Sequence, residues 1–448
     1  MSQCRPRLDP VAAAPPGEGF GAFVKRARAR GALVVQPRMG FSDPQHMRAG
    51  LLATKNARGT TVGTITLDSY TRIGDHSEIE KSLQQDIPLN GYPIVSHPLD
   101  VTTRMLDGVA SVDFPVQVRH GSPAPAEIFQ VMGQLGLTAT EGGPVSYCIP
   151  YGRTPLIASI RNWARCCEAF SQSTMNGKVP HMETFGGCML GQLCPPGQLI
   201  AISVLEALFF REHGLRSVSL SYAQQTNMAQ DHEAVLALRR LCGELLADME
   251  SHIVVYSYMG LHPRTESGSA ALLADAVELA VTAGADRLVV KTSAEADRIP
   301  TIEENVSALN RAAAAACGRW IGVPRETPAD SQAYLEARVL IDTVRNLDDD
   351  LGRALVAAFQ RGYLDVPYCL HPDNAGRARS CIASDGRLLW TDLGALPLRE
   401  ITGVAPSQSP SAAGLLNQLT YVRRKFDHPS CGLVFSRDFS FDVEADGE

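Results

Sequence analysis

Short β-rich runs alternate with helical patterns from about Gly31 to Gly318. Each run ends at a turn rich in Gly, Pro or Asn, and a segment with apolar residues at helical spacing follows it. This alternation predicts parallel strands covered by helices. The strand candidates are ALVVQP, VGTITL, YPIVS, FPVQV, LTATE, VPHMETF, SVSLSY, HIVVYSY and RLVV. A closed barrel of this class has eight strands, so we expect one candidate to lie outside the ring, and the pattern does not say which.

Several helix ends can be read from the sequence. Thr154 is predicted to cap a helix that has Pro155 at its first position. Thr301 and Glu304 predict a capping box for a helix that reaches Ala316. These features are structural and carry no chemistry.

The alternation stops after Gly318, where two helical patterns, a loop-rich stretch and an irregular tail follow. We therefore divide the chain into an N-terminal arm (residues 1–30), a barrel domain with the catalytic site (residues 31–325) and a C-terminal extension (residues 326–448). The predicted fold class is α/β, a barrel with an α-helical and irregular extension packed on the barrel or on a partner.

The composition is that of a globular protein, since 45% of the 448 residues are hydrophobic. The net charge of -7 argues against a nucleic-acid surface. The longest apolar stretch, LIAISVLEALFF, is too short to cross a bilayer and contains Glu206. The Pro- and Gly-rich N-terminus lacks the apolar core of a secretory signal. We therefore expect a cytoplasmic protein that has neither a membrane nor a nucleic-acid partner.

The cysteine pattern indicates reduced thiols. There are 11 cysteines, none of them in a CxxC pair, and the spacing of Cys188 and Cys194 is not that of a zinc site. No metal site is predicted.

Three arginines each lie at the carboxyl end of a separate predicted strand: Arg38, Arg72 and Arg119. In an α/β barrel these strand ends face one mouth, so the guanidinium groups are predicted to converge on a small anion. Three planar, permanently charged groups suit a dicarboxylate. The alternative is that each arginine forms an ordinary surface ion pair.

The segment TATEGGPVSYCIPYGRTP supplies a carboxylate and two phenols. Glu141 ends a strand and is predicted to project into the mouth beside Tyr147 and Tyr151. A carboxylate near an arginine cluster complements an ammonium group, so together these residues describe an amino-acid dicarboxylate such as glutamate. The alternative is a glutamate paired to a barrel arginine, with two packed tyrosines.

Other polar residues near strand ends have simple structural explanations as well. His120 can donate a hydrogen bond to the same ligand or be an ordinary satisfied polar residue, and Lys291 and Glu295 have the spacing of a helical ion pair. The sequence contains no Walker loop, dinucleotide fingerprint, HExxH or GxSxG motif. The predicted ligand site therefore lacks an obvious catalytic group of its own.

Several motifs, in this order, resemble one family: QPRMG, DSYTR, LNGYP, VQVRHGSP, TEGGPVSY with IPY, YMG and VKTSAEADRIPT. The chain resembles the large, or epsilon, subunits of glutamate mutase, also called methylaspartate mutase. The resemblance covers roughly residues 32–300 and continues more weakly to the end. It implies a TIM (β/α)8 barrel that uses adenosylcobalamin to interconvert L-glutamate and threo-3-methyl-L-aspartate by a radical mechanism.

The resemblance also implies roles for individual residues. The implied substrate-binding residues are Arg38, Arg72, Arg119, His120, Glu141, Tyr147 and Tyr151, with Glu141 as the catalytic residue that takes the amino group and acts as its base. The implied cofactor-binding residues are Gly40, Asn90, Pro150, His262, Lys291, Glu295 and Ile299.

The chain lacks the cobalt-binding signature DxHxxG of cobalamin-dependent mutases. The resemblance therefore implies a separate small cobalamin-binding (sigma) subunit that holds the cofactor against the barrel mouth, in a heterotetramer of two large and two small subunits. Two departures from the family pattern are His262, where an aromatic residue is common, and Cys148, where Asn is common. Two alternatives stay open: a related amino-acid mutase or lyase of secondary metabolism, and a non-catalytic dicarboxylate-binding subunit.

Overall fold

A barrel of parallel strands forms the centre of the molecule. The computed structural model describes residues 19–85, 87–150, 152–173, 177–186, 193–319, 330–405 and 411–428. The barrel strands are β1 (Val34–Gln36), β2 (Thr60–Thr61), β3 (Gly63–Thr66), β4 (Val116–Arg119), β5 (Ala139–Glu141), β6 (His181–Glu183), β7 (Ser217–Ala223), β8 (Glu250–Tyr256) and β9 (Arg287–Val289). The order in the sheet is β2-β1-β9-β8-β7-β6-β5-β4-β3, and every pairing in it is parallel.

The first and last strands of this order belong to one extended segment. Strands β2 and β3 are separated only by Val62; β2 pairs with β1, whereas β3 pairs with β4. The sheet therefore closes through residues 60–66, which make the eighth side of the ring. The predicted α/β barrel is confirmed.

The strand candidate YPIVS lies outside the ring. It contributes a single parallel bridge between Tyr92 and Leu67, and residues 94–96 form a turn. Pro93 has no N–H to donate to a strand ladder, which explains why pairing stops there. This removes the surplus strand that the sequence pattern left unassigned.

Helices surround the barrel and continue into the C-terminal part. In chain order they are α1 (Phe20–Ala29), α2 (Pro44–Lys55), α3 (Ser69–Ile73), α4 (His76–Gln84), α5 (Leu99–Leu106), α6 (Ala126–Leu135), α7 (Leu156–Gln172), α8 (Pro196–Glu212), α9 (Met228–Leu245), α10 (Glu266–Thr282), α11 (Ile302–Ala316), α12 (Gln332–Arg345), α13 (Leu351–Arg361), α14 (Ala412–Leu419) and α15 (Tyr421–Asp427). A 3₁₀ helix covers Ser293–Ala296, and a hairpin pairs β10 (Arg379–Ile382) with β11 (Leu388–Asp392).

Of the two predicted helix starts, one is confirmed and one is wrong. Glu304 N donates to Thr301 Oγ1 at 3.3 Å and Thr301 N donates to Glu304 Oε2 at 2.8 Å, which is the predicted capping box of α11. Helix α7 instead begins one residue later than predicted, with Pro155 at the N-cap and no side-chain cap. The Thr154 carbonyl oxygen accepts from His371 Nε2 at 3.0 Å, so this residue serves the packing of the C-terminal part.

Helix α1 packs against the amino ends of the barrel strands. Phe20 is 1% exposed, stacks on His181 with ring centroids 5.2 Å apart, and lies 5.0 Å from the guanidinium carbon of Arg287. The later part of the predicted N-terminal arm is therefore a packed helix. The division of the chain at residues 30 and 325 stays a prediction, and residue 325 lies outside the described residues.

Helix α8 is buried on every side, which explains its continuous apolar sequence. One side faces β7 and the other is covered by α12 and α13 from the C-terminal extension. The extension thus packs on the barrel. Among the helices of the described residues, none is long and apolar enough to span a membrane.

Candidate functional site

Arg119 and Glu141 form a buried ion pair at the carboxyl ends of neighbouring strands. Arg119 is the last residue of β4 and Glu141 the last of β5, so the parallel pairing brings the two side chains to the same end of the barrel. Arg119 Nη2 lies 2.8 Å from Glu141 Oε2, and each side chain is 3% exposed. The strand order therefore creates a charged pair inside the mouth.

Aromatic rings enclose the Arg119 guanidinium. Its central carbon lies 4.9 Å from the centre of the Tyr256 ring and 5.5 Å from that of Phe185, both distances at which a cation is attracted to a ring face. Burial alone would lower the pKa of Arg119, but Glu141 and Tyr256 outweigh this effect and raise it. Arg119 is therefore a permanent cation.

Two hydroxyls complete the surroundings of Glu141. The Tyr147 hydroxyl donates to Glu141 Oε1, and the Tyr256 hydroxyl lies 3.1 Å from Glu141 Oε2. Tyr147 is thus placed beside Glu141, as predicted. Tyr151, the other predicted phenol, lies outside the described residues.

A buried carboxylate on α8 holds the turn that carries Tyr147. Glu206 Oε1 accepts hydrogen bonds from Val145 N at 3.0 Å and Ser146 N at 2.8 Å. A Cβ atom at Gly143 would lie only 2.1 Å from the Glu206 carboxyl group, so glycine is required there. Burial raises the pKa of Glu206 to about 7. Tyr147 therefore depends on α8 for its position.

Arg72 lies next to this pair on the short helix α3, whose first turn is capped by Asp68. Its Nε and Nη2 donate to the carbonyl oxygen of Leu67 at 3.2 and 3.0 Å. A Cβ atom at Gly121 would be 3.4 Å from Arg72 Cδ, so the arginine packs against the loop that follows Arg119. Within the described part of the chain, no carboxylate lies within ion-pair distance of Arg72.

Arg38 belongs to a second cluster on the same rim. Arg38 Nη1 binds Glu295 Oε2 at 2.8 Å, and Lys291 Nζ lies 3.5 Å from the same oxygen. Burial lowers the pKa of Lys291, whereas Glu295 opposes this effect. Burial lowers the pKa of Arg72, and the positive charge of Arg38 adds to this effect, as it does for Lys291.

His120 is a neutral residue beside Tyr147, with ring centroids 5.3 Å apart. It is 1% exposed and stacks on Trp163, with ring centroids 5.6 Å apart. Burial, followed by the charge of Arg72, lowers the pKa of His120 to about 3. Its Nδ1 accepts from Ser122 N at 3.0 Å, so in the neutral ring the proton lies on Nε2.

Several residues with an implied cofactor role have structural contacts of their own. A Cβ atom at Gly40 would lie 2.1 Å from the Thr66 carbonyl oxygen, so this glycine is required where the loop after β1 approaches the end of β3. Asn90 is exposed and its Oδ1 accepts from Ser69 N at 2.9 Å. Pro150 is half-buried. These contacts are compatible with a bound cofactor but do not depend on one.

His262 and Ile299 differ in exposure. Ile299 is 45% exposed, whereas His262 is 4% exposed and has a buried Nδ1 without a hydrogen-bond partner among the described residues. His262 Nε2 contacts Ser269 Oγ at 2.9 Å. Burial, then the charge of Lys291, lowers the pKa of His262 to about 4, so it is neutral and lies close to the Arg38 cluster.

Sequence reasoning missed a polar layer inside the barrel. Glu183 pairs with Arg287, and it also accepts from Ser219 Oγ at 3.0 Å and from Gln117 Nε2 at 3.2 Å. The Tyr256 hydroxyl contacts Glu183 as well as Glu141. The sequence did contain a signal for this layer, since polar and apolar residues alternate in HME, VQVR and SVSLSY. Strands of a parallel sheet that are buried on both faces are normally continuously apolar, so this alternation indicates polar groups inside the barrel.

These positions define the class of protein: an α/β barrel whose charged groups gather at the carboxyl-end mouth, where such barrels bind their ligands. Residues 14–407 match the family model described as Methylaspartate mutase E chain (MutE). The glutamate mutase epsilon subunit of Yersinia enterocolitica is 30% identical over 406 residues, a match covering 86% of this chain and 82% of that protein. The chain belongs to the methylaspartate mutase E chain family.

An archaeal relative is similar to the same extent. The glutamate mutase epsilon subunit of Halobacterium salinarum is 31% identical over 407 residues, which cover 87% of this chain and 82% of that protein. The family resemblance stated from the sequence motifs is thereby confirmed.

Proposed function

We propose that this chain is the large subunit of an adenosylcobalamin-dependent mutase that interconverts L-glutamate and threo-3-methyl-L-aspartate. The observation that carries the proposal is the buried Arg119–Glu141 pair, with Arg72 beside it, at the barrel mouth. A cation and an anion side by side, with a further cation near them, match the charges of an amino dicarboxylate. Family membership and the names of the relatives support the same reaction.

The internal ion pair is suited to exchange with the substrate. When a substrate carboxylate binds Arg119 and its ammonium group binds Glu141, one buried ion pair is replaced by two. No buried charge is left without a partner at the end of the exchange, which avoids the large cost of an isolated buried charge. Arg72 and Arg38 would hold the second carboxylate, with Arg38 exchanging Glu295 for the substrate.

Neutral groups orient the substrate in this arrangement. The His120 ring carries its proton on Nε2 and donates to a carboxylate oxygen, while Tyr147 and Tyr151 complete the pocket. Glu141 holds the substrate amino group and acts as its base. Because substrate position controls the rate in such enzymes, the task of these side chains is to fix the reacting carbon and exclude water.

The Arg38 cluster fits an adenosyl group. A buried His262 Nδ1 has no partner among the described residues, Lys291 and Glu295 offer a donor and an acceptor, and Ile299 is apolar and exposed. Hydroxyl groups of a ribose need such donors and acceptors, and a base ring needs an apolar contact. Gly40, Asn90 and Pro150 would face the cofactor on the remaining side.

When bound, adenosylcobalamin supplies a carbon-centred radical through homolysis of its cobalt–carbon bond. The chain itself supplies the charged pocket, the base and the closed barrel floor. Its sequence lacks the DxHxxG signature, so a separate small subunit would bind the cobalamin.

An apolar rim supports the docking of that subunit. Exposed apolar side chains follow three of the barrel strands at their carboxyl ends: Ile73 (74%) ends α3 after β3, Leu261 (40%) lies after β8 and Ile299 (45%) after β9. Exposed apolar groups around one opening are typical of an interaction surface. We propose a cytoplasmic heterotetramer of two large and two small subunits.

Product analysis tests this function. The purified chain is mixed with a cobalamin-binding partner subunit, adenosylcobalamin and L-glutamate, and 3-methylaspartate is measured by chromatography. We expect product only when all four components are present. Turnover without cobalamin would favour a lyase or a different rearrangement. Glutamate binding without cleavage of the cobalt–carbon bond would favour a non-catalytic binding subunit.

A further inference from the structure

The Tyr256 hydroxyl lies between two carboxylates. It is 3.1 Å from Glu141 Oε2, it contacts Glu183 Oε1, and Arg119 Nη1 approaches its oxygen at 3.4 Å. The side chain is fully buried on β8, and burial raises its pKa well above the usual value, so the hydroxyl keeps its proton. One hydroxyl has one proton to donate, so the two carboxylates compete for it.

The two carboxylates differ in how many other donors they have. Glu183 Oε2 already receives hydrogen bonds from Arg287, Ser219 and Gln117. Glu141 has Tyr147 on one oxygen and Arg119 on the other. If Arg119 turns to a ligand carboxylate, as the proposed function requires, Glu141 Oε2 loses the Arg119 donor, whereas the three donors to Glu183 Oε2 stay in place.

We propose that Tyr256 is a switchable donor that moves its hydrogen bond from Glu183 to Glu141 when a ligand takes Arg119. After the exchange, Glu141 still accepts hydrogen bonds from two donors, the hydroxyls of Tyr147 and Tyr256. It therefore stays a carboxylate held in the position that binds an ammonium group. Tyr256 is then a positioning residue for recognition of the amino group. This inference rests on the proposed binding of an amino dicarboxylate at the mouth.

The test compares two ligands that differ by the amino group, L-glutamate and glutarate. Binding of each to the complete chain is measured by calorimetry in wild type and in Tyr256→Phe. We expect the preference for glutamate over glutarate to fall by about tenfold or more in Tyr256→Phe, as is usual for a lost hydrogen bond to a charged group, with glutarate affinity little changed.

Tyr258→Phe is the matched control. Tyr258 is a buried tyrosine two residues further along, and it packs with Leu272 and Val422 away from Glu141. Its substitution should leave the preference unchanged. An unaltered preference in Tyr256→Phe would overturn the inference. If wild type itself shows no preference for glutamate, the proposed substrate is wrong instead.

A second variant keeps the inference testable if Tyr256→Phe does not fold. Ser219→Ala removes one donor from Glu183, which should then retain the Tyr256 proton more strongly and reduce the glutamate preference by about threefold. Ser221→Ala, on the same strand, removes a hydroxyl that donates to the Thr184 carbonyl oxygen and should have no such effect. Equal preferences in Ser219→Ala and wild type would contradict the competition between the carboxylates.

Discussion

Of the three arginines at the mouth, Arg72 contributes least to holding the fold together. Its guanidinium donates to a backbone carbonyl oxygen, whereas Arg119 and Arg38 are paired with Glu141 and Glu295. A change at Arg119 would disturb a buried ion pair and two aromatic contacts. Arg72 therefore offers the cleaner test of substrate binding.

We predict that Arg72→Lys weakens L-glutamate binding by about tenfold or more while the melting temperature changes little. Lysine keeps the charge but loses the planar fork that holds a carboxylate through two parallel hydrogen bonds. Calorimetry and thermal unfolding measure the two quantities. Arg104→Lys, at an exposed pair with Asp100, is the control and should change neither. Wild-type affinity in Arg72→Lys would exclude Arg72 from the site.

At this scale the sequence predicted the charged residues of the site and offered a barrel arginine as an alternative partner for Glu141, but it did not identify that arginine as Arg119. Arg119 and Glu141 could be assigned to one mouth because both end a strand. The direct contact between Arg119 and Glu141 depends on β4 and β5 being neighbours in the sheet. The contact of Tyr256 with Arg119 depends on β8, which lies on another side of the barrel. Such distances between strands are not encoded in local patterns.

The turn after β5 depends on helix α8 through Glu206. This carboxyl group is fully buried, and burial raises its pKa to about 7. The unfolded chain releases this proton near the ordinary pKa of about 4.3. Protonated Glu206 therefore makes its full contribution to the free energy of unfolding below a pH of about 4.3. This contribution is lost as the pH rises through about 7.

We predict that Glu206→Gln becomes more stable relative to wild type as the pH rises from about 4.5 to 7, by roughly 3 kcal/mol in total. Glutamine stays neutral at every pH and retains an oxygen for the Val145 and Ser146 N–H groups. Denaturant unfolding of both proteins at several pH values measures the difference. A difference that is constant with pH would show that Glu206 is ionised in the fold.

Helices and strands with strong local sequence signals were predicted correctly. The wrong predictions have physical causes in the residues next to them. The capping box of α11 depends only on neighbouring residues and is confirmed. The candidate YPIVS was a strand by composition, but Pro93 interrupts pairing. The hydroxyl of Thr154 suggested a cap, yet the turn places Pro155 at that position.

At the scale of the whole molecule, the C-terminal helices reach the barrel mouth. Asp427 at the end of α15 accepts hydrogen bonds from Arg264 N and Thr265 N at 3.0 and 2.9 Å, and so holds the start of α10. Arg423 Nε donates to the His262 carbonyl oxygen at 2.9 Å. The loop that carries His262 is therefore fixed by a helix that lies beyond the family match, which ends at residue 407.

We predict that Asp427→Ala increases deuterium uptake in residues 257–268, because the loop loses the acceptor of three hydrogen bonds. Hydrogen exchange followed by mass spectrometry measures this. Asp350→Ala removes the cap of α13 and is the control. Both changes should cost about 1 kcal/mol, but only the first should loosen the mouth. Equal uptake in this loop would contradict the bracing role of α15.

The barrel itself could be predicted from the alternation of strand and helix patterns, because one repeating unit specifies the architecture. The attachment of the extension could not, since the contacts of α12 with α8 and of α15 with α10 join segments that are distant in sequence. The polar layer inside the barrel was likewise hidden, because it is assembled from single residues of several strands.

A crystal structure of the chain with L-glutamate bound would test the proposed binding mode directly. We predict the ligand at the carboxyl-end mouth, with one carboxylate on Arg119, the second on Arg72 and Arg38, and the amino group on Glu141. The Arg119–Glu141 contact should be opened by the ligand. Glutamate bound away from the mouth, or at the mouth with that ion pair intact, would contradict the proposed exchange of the ion pair with the substrate.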